Sequence, residues 1–325
     1  MMRDAILKFA EQFKYKPIVE NATKLKRAKR FVVCGMGGSH LAAGVVKAVM
    51  PELSVTVHRD YGLPAVGASD AKESLFIMSS YSGNTEEVIA GFHEARKKGY
   101  DLAVIAVGGE LLKLAQKHQV PFVKLPNTGI QPRSALGFSI KALLKVMRQE
   151  NILKKVGMLA GRLKVKDLEK TGKKLASQLI NKVPVVYAST RNREVAYNWK
   201  IKFNETGKIP AFSNVVPELN HNEMTGFDVG KKSRQLSEKF VFVLLVDDKD
   251  DSRVIKRFKV LSKLYSDRSL PVVTVPLTGK TVWERTFNSL IVADWTALAL
   301  AKHYDLESEA VPMVEEFKKL ISGKQ

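Results

Sequence analysis

A run of hydroxyl-bearing residues, Ser80-Tyr81-Ser82-Gly83-Asn84-Thr85, lies between a short apolar stretch and a helix-period segment that opens on Glu86 and Glu87. Ser80, Ser82 and Thr85 at a helix start suit a phosphate, because the unpaired N–H groups of the first turn and the helix dipole both favour an anion. An ordinary N-cap, with Thr85 or Ser82 as the cap and the two acids complementing the dipole, accounts for the same residues. A second turn, Gly35-Met36-Gly37-Gly38-Ser39, follows Phe31–Cys34 and precedes the helical run Leu41–Met50. Its glycines allow a tight turn and bring backbone N–H groups close to an anion. No Gly-Lys-Ser/Thr follows, so this is not a Walker motif, and His40 stands where a G-x-G-x-x-G fingerprint needs its last glycine.

Charged side chains elsewhere could act on the rest of such a substrate. Arg133, in Gln131-Pro132-Arg133-Ser134-Ala135, precedes a helical run from Leu136. Its permanent charge and planar donors suit an enediolate oxygen; a surface arginine paired with an acid is the alternative. Glu205 closes a helix-period segment that starts at Arg193 and stops at Gly207. In a poorly solvated pocket its carboxyl would be raised towards the range of a useful base, whereas a solvated helix-end glutamate would do nothing. His221 lies in the polar loop Pro217-Glu218-Leu219-Asn220-His221-Asn222-Glu223, where an imidazole can move protons near neutral pH or be an ordinary surface group. No His and carboxylate cluster has a ligand spacing such as H-E-x-x-H, so neither a metal nor a cofactor is expected.

These residues need a scaffold, and the chain supplies short β-rich runs alternating with helix-period segments, the pattern of parallel strands joined by crossover helices. The runs are Phe31–Cys34, Ser54–His58, Leu75–Ser79, Ala103–Val107 and Pro121–Lys124, then Val183–Ala188, Lys239–Val246 and Pro271–Val275. Several are apolar throughout, as strands covered on both faces should be. Their roughly repeated spacing predicts an α/β protein with two similar three-layer units, residues 1–155 and 156–325, each around a parallel sheet. Asn151–Lys174 reads as helix and connection, Ile209–Phe212 as a turn, and Val311–Lys319 as a terminal helix opened by Pro312.

Composition narrows the partners. Lys plus Arg number 53 against 33 Asp plus Glu, a net charge of +20 that favours anionic ligands. Basic residues cluster at Lys14–Arg30 and Lys154–Lys174, but no helix-turn-helix extension, zinc finger or ribonucleoprotein motif accompanies them, so nucleic acid is not the expected partner. The single Cys34 excludes an intrachain disulfide and fits a reducing compartment. No apolar run approaches the ~20 residues of a membrane span, and Met1–Lys16 has no signal-peptide core. A cytoplasmic location away from membranes is expected.

The Ser80–Thr85 run and Gly37-Gly38-Ser39 resemble the phosphate loop and companion turn of the sugar isomerase (SIS) domain proteins, and within them of the bifunctional phosphoglucose/phosphomannose isomerases. The resemblance extends from about residue 20 to 320 and implies two tandem SIS domains, the phosphate loops on the first and the base and terminal helix on the second. It implies phosphate binding by Gly38, Ser39, Ser80, Ser82 and Thr85, an enediolate-stabilising Arg133, and Glu205 as base in the family's Phe-Asn-Glu setting. It further implies a homodimer in which His221 assists ring opening across the subunit interface, and a terminal-helix lysine, Lys318 in preference to Lys319, that helps ring opening. The reaction implied is interconversion of glucose 6-phosphate, and mannose 6-phosphate, with fructose 6-phosphate through a cis-enediol. Val311 stands seven residues before Lys318, where glucose-specific relatives carry glutamine and bifunctional ones threonine. Tyr81 replaces a lysine frequent in glucose-specific relatives, which leaves helix N-termini and the basic surface to balance the phosphate. A non-catalytic sugar-phosphate-binding regulator, or an isomerase of another phosphosugar, is the competing possibility.

Overall fold

The computed structural model describes residues 2–321. The chain forms two compact units, each with its own parallel sheet. One comprises Leu7–Lys164 with Gly279–Arg285; the other comprises Val165–Thr278, the chain up to Ile6 and the chain from Thr286 onward.

The first unit is built on β1 (Arg30–Cys34), β2 (Ser54–His58), β3 (Ser74–Ser79), β4 (Asp101–Ala106) and β5 (Phe122–Lys124), in the order β2-β1-β3-β4-β5. All four pairings are parallel, with Phe31 opposite both Val55 and Leu75. The strands expected from Phe31, Ser54, Leu75, Ala103 and Pro121 are therefore all present. Every residue of β3 is buried, which is why its sequence shows no polar alternation. Helices α1 (Gly38–Val49), α2 (Glu86–Lys97), α3 (Gly109–Lys117) and α4 (Leu136–Val146) cover the sheet. One face packs Val32, Phe76, Met78 and Val104 against Val88, Phe92, Leu111 and Ala115. Burying side chains of this size stabilises the unit by roughly 1.5–3 kcal/mol each before entropy is counted.

The second unit carries β6 (Val183–Ser189), β7 (Phe212–Val216), β8 (Phe240–Val246) and β9 (Val272–Pro276), in the order β7-β6-β8-β9 and parallel throughout. Its helices include α5 (Arg193–Glu205), α6 (Ser252–Asp267), α7 (Val282–His303) and α8 (Pro312–Ile321). Phe242, Leu244, Tyr187, Phe258, Leu261 and Tyr265 make one core cluster. Strand β7 corrects the sequence reading, which took Ile209–Phe212 as a turn and assigned no strand before the polar loop at Pro217–Glu223. It is an edge strand whose Phe212 is 54% exposed while Val215 and Val216 are buried, so neither an apolar run nor an alternation betrays it.

Among the described residues no helix is long and apolar enough to cross a membrane.

Candidate active site

In a parallel sheet, ligands bind beyond the carboxyl ends of the strands, where the chain order reverses direction. In the first sheet that point lies between β1 and β3. The two loops that leave it are Gly35–Ser39 and Ser80–Thr85, the two turns singled out by their composition.

Hydrogen bonds knit these loops together. The Tyr81 N–H donates to Ser39 Oγ at 2.8 Å, and Ser79 Oγ donates to the Ser39 carbonyl at 3.2 Å. Ser80 Oγ accepts from the Gly83 N–H at 3.0 Å and shares a hydrogen bond of 2.7 Å with Thr85 Oγ1. Ser82 Oγ accepts from the Asn84 N–H at 3.2 Å. Thr85 does occupy the N-cap of α2, yet its hydroxyl makes no capping bond. The hydroxyl faces Ser80 instead, so simple capping does not explain it.

Two glycines are required by close approach. Gly83 has φ of +76°, and a Cβ there would overlap the Gly108 carbonyl oxygen. Gly38 packs against the Pro132–Arg133 peptide, with a Cβ position only 2.8 Å from Arg133 N and Pro132 C. The turn holding Arg133 therefore touches the glycine turn at the start of α1. Arg133 itself is 2% exposed. Gly38, Ser39, Ser80, Ser82, Thr85 and Arg133 are thus gathered at one end of one sheet.

Two side chains here carry no local sequence signal. Gln12, 3% exposed, donates to the Ser134 carbonyl at 2.7 Å and accepts from the Gly137 N–H at 2.9 Å, clamping the Arg133 turn to the start of α4. His40 is buried beside Ser39, and burial, then the Arg59 charge, pulls its pKa down to about 4. Its ring is therefore neutral near pH 7.

In the second sheet the reversal lies between β6 and β8. A protein cation sits there: Arg191 bonds the buried Asp247 at 2.7 Å and Asp250 at 2.9 Å.

The remaining candidates belong to this second unit and lie on three separate elements. Glu205 is the last residue of α5 and is half-buried; its carbonyl accepts from Lys208 Nζ at 2.8 Å. The same helix is tied into the core by Lys202, whose ammonium meets Asp294 of α7 at 2.5 Å, both side chains at least nine-tenths buried. His221 is exposed, at the end of a short turn Glu218–His221 after β7. Lys318 is exposed on α8 and pairs with Glu315 at 2.8 Å. Glu223, close to His221 and within the loop that sequence reading quoted without giving it a role, accepts from Tyr187 Oη at 2.5 Å and from Asn214 Nδ2. Among the described residues no group of three or more His, Cys, Asp or Glu side chains is placed to hold a metal ion.

Residues 168–321 match the family model of the bacterial phospho-glucose isomerase C-terminal SIS domain. A bifunctional phosphoglucose/phosphomannose isomerase from Thermoplasma acidophilum is 31% identical over 99% of this chain and 100% of its own length. Its counterpart from Aquifex aeolicus is 29% identical over 95% of each chain. Among solved structures, a glucosamine-6-phosphate deaminase from Thermotoga maritima superposes with a TM-score of 0.69 at 14% identity, covering 96% of both chains. That likeness is one of fold.

Proposed function

The chain belongs to the bifunctional phosphoglucose/phosphomannose isomerase family, and from that premise we propose that it interconverts fructose 6-phosphate with glucose 6-phosphate and mannose 6-phosphate through a cis-enediol. It is an aldose–ketose phosphosugar isomerase. The observation that supports the assignment of residues is the convergence at the reversal point of the first sheet of the Gly35–Ser39 and Ser80–Thr85 loops, joined by the Tyr81 N–H to Ser39 Oγ bond, with the Arg133 turn packed on Gly38.

In this scheme Gly38, Ser39, Ser80, Ser82 and Thr85 hold the phosphate of the substrate, together with N–H groups at the starts of α1 and α2. With that end fixed, His221 and Lys318 open the sugar ring. Glu205 takes a proton from C1 of open-chain fructose 6-phosphate, leaving an enediolate whose oxygen charge Arg133 balances; the hydroxyl proton passes from O1 to O2, and Glu205 returns its proton to C2 as C1 becomes the aldehyde. Return to one face of C2 gives glucose 6-phosphate, and to the other mannose 6-phosphate. Holding the phosphate converts remote binding energy into alignment of C1 and C2, worth several kcal/mol of barrier. The scheme calls on side chains and backbone N–H groups of the protein and on no metal or cofactor.

Residues up to about 155 supply the phosphate loops and Arg133; residues from about 156 supply Glu205, His221 and Lys318. The exposure of His221 fits a homodimer in which each copy lends its histidine to the other. The reading sets the enzyme in the cytoplasm, acting on phosphosugars and not on nucleic acid.

Glu205→Gln tests the central assignment: turnover is lost while sugar-phosphate binding stays near normal. A variant with wild-type turnover would remove Glu205 as the base.

A further inference from the structure

His221 sits on a surface turn, and a proton donor on an unrestrained turn would be poorly aligned with a ring oxygen. A fixing device lies just beyond it. We propose that Glu223 is a positioning residue for His221, tying the turn after β7 to the sheet through a carboxylate that bridges β6 and β7. The proposal rests on the assignment of ring opening to His221.

Three observations carry it. Tyr187 and Asn214 are partners in register on β6 and β7, so their side chains emerge on the same face of the sheet, side by side. Both donate to Glu223, the tyrosine hydroxyl to Oε1 at 2.5 Å and the asparagine amide to Oε2, so each carboxylate oxygen is held by a different strand. Each donor is itself fixed. Asn214 Oδ1 accepts from the Val215 N–H at 2.8 Å, which turns Nδ2 towards the carboxylate. Tyr187 is fully buried against Phe242, whose ring packs in turn on Tyr265, and its pKa is raised first by burial and then by Tyr265 and Glu223, so that it stays a donor across the working pH range.

The backbone between His221 and this anchor is also restrained. Asn222 Oδ1 accepts from the Glu223 N–H at 2.6 Å, and Asn222 Nδ2 donates to Glu218 Oε1 at 2.8 Å, closing the turn on itself. A carboxylate on a surface loop ordinarily stays in water; drawing Glu223 onto two neutral donors is repaid by charge-assisted hydrogen bonds and a defined loop. His221 is left exposed at the crest of a turn whose foot is bonded to the core.

The test compares Glu223→Gln, Tyr187→Phe and His221→Asn with the wild-type enzyme in three measurements: melting temperature, kcat and KM with fructose 6-phosphate, and the rate of α/β anomer exchange of glucose 6-phosphate by NMR. Anomer exchange reports ring opening alone. Gln keeps the size of Glu but presents an amide N–H to a donor; Phe removes one donor and leaves the carboxylate. The expected result is that His221→Asn lowers anomer exchange most, and that Glu223→Gln and Tyr187→Phe lower it and kcat on the order of 10–100-fold with KM near wild type. Wild-type anomer exchange and kcat in folded Glu223→Gln and Tyr187→Phe, beside an impaired His221→Asn, would overturn the positioning role and leave the histidine's role standing. Wild-type exchange in His221→Asn would overturn both. Should Glu223→Gln not fold, Tyr187→Phe alone decides.

Discussion

Gln12 and Ser134 are 122 positions apart in sequence, yet Gln12 Nε2 donates to the Ser134 carbonyl at 2.7 Å while Oε1 of the same amide accepts from Gly137 N. One buried side chain thereby spans the turn that carries Arg133. It fits because Gly137 has no Cβ; one there would lie 2.8 Å from Gln12 Cβ. Replacing Gln12 with Ala removes both of these buried hydrogen bonds, at a cost of about 1–3 kcal/mol. If the clamp aligns Arg133, kcat falls by about tenfold or more while KM changes little. Urea titration and steady-state kinetics measure the two effects separately, and a stability loss with unchanged kcat would limit Gln12 to a structural role.

Gly83 can be tested in the same loop system. Its φ of +76° and its contact with the Gly108 carbonyl mean that Gly83→Ala must displace the Ser80–Thr85 loop. A misplaced loop weakens phosphate binding, so KM for fructose 6-phosphate rises by roughly 10–100-fold. Affinity for a sugar phosphate, measured by calorimetry, falls in parallel. Unchanged affinity would show that the Gly83 contact is dispensable for holding the phosphate.

Lys202 and Asp294 form a buried ion pair on the helix that ends in Glu205. Lys202→Met leaves the Asp294 carboxylate without its ammonium in a low-dielectric setting, which destabilises by about 3–5 kcal/mol. The double variant Lys202→Met, Asp294→Leu recovers most of that loss, because neither charge remains to be buried. Thermal unfolding of the single and double variants distinguishes this from a packing defect, which the second substitution would not repair.

Val311 bears on the choice between products. It immediately precedes α8 and is half-buried. If its small branched side chain leaves room for the enediol to turn about C2–C3 and offer its other face to the base, then Val311→Gln lowers mannose 6-phosphate formation by about fivefold or more relative to glucose 6-phosphate. An unchanged product ratio would separate Val311 from substrate selection.

The parts of this molecule that could be read in sequence are those whose causes are local. Leu75–Ser79 shows itself as a strand because both faces of its sheet are covered, and Glu205 shows itself as a helix end because Gly207 follows it. The hydroxyls at Ser80, Ser82 and Thr85 could be read as an anion site or a cap, and the Ser80–Thr85 hydrogen bond, which takes the Thr85 hydroxyl away from capping, has no trace in the sequence. Strand β7 was hidden because an edge strand with Phe212 in solvent lacks both patterns that mark a strand. Gln12 and Glu223 were silent for a different reason. Their partners, Ser134 and Tyr187, are distant in the chain, and nothing in the neighbouring residues distinguishes them from ordinary polar groups.

The most direct measurement is the product composition when the purified protein is incubated with fructose 6-phosphate in the presence of EDTA and followed by NMR. The account predicts that glucose 6-phosphate and mannose 6-phosphate both accumulate. Glucose 6-phosphate alone would contradict the dual activity, and no product from a protein that still binds the sugar phosphate would contradict the isomerase assignment.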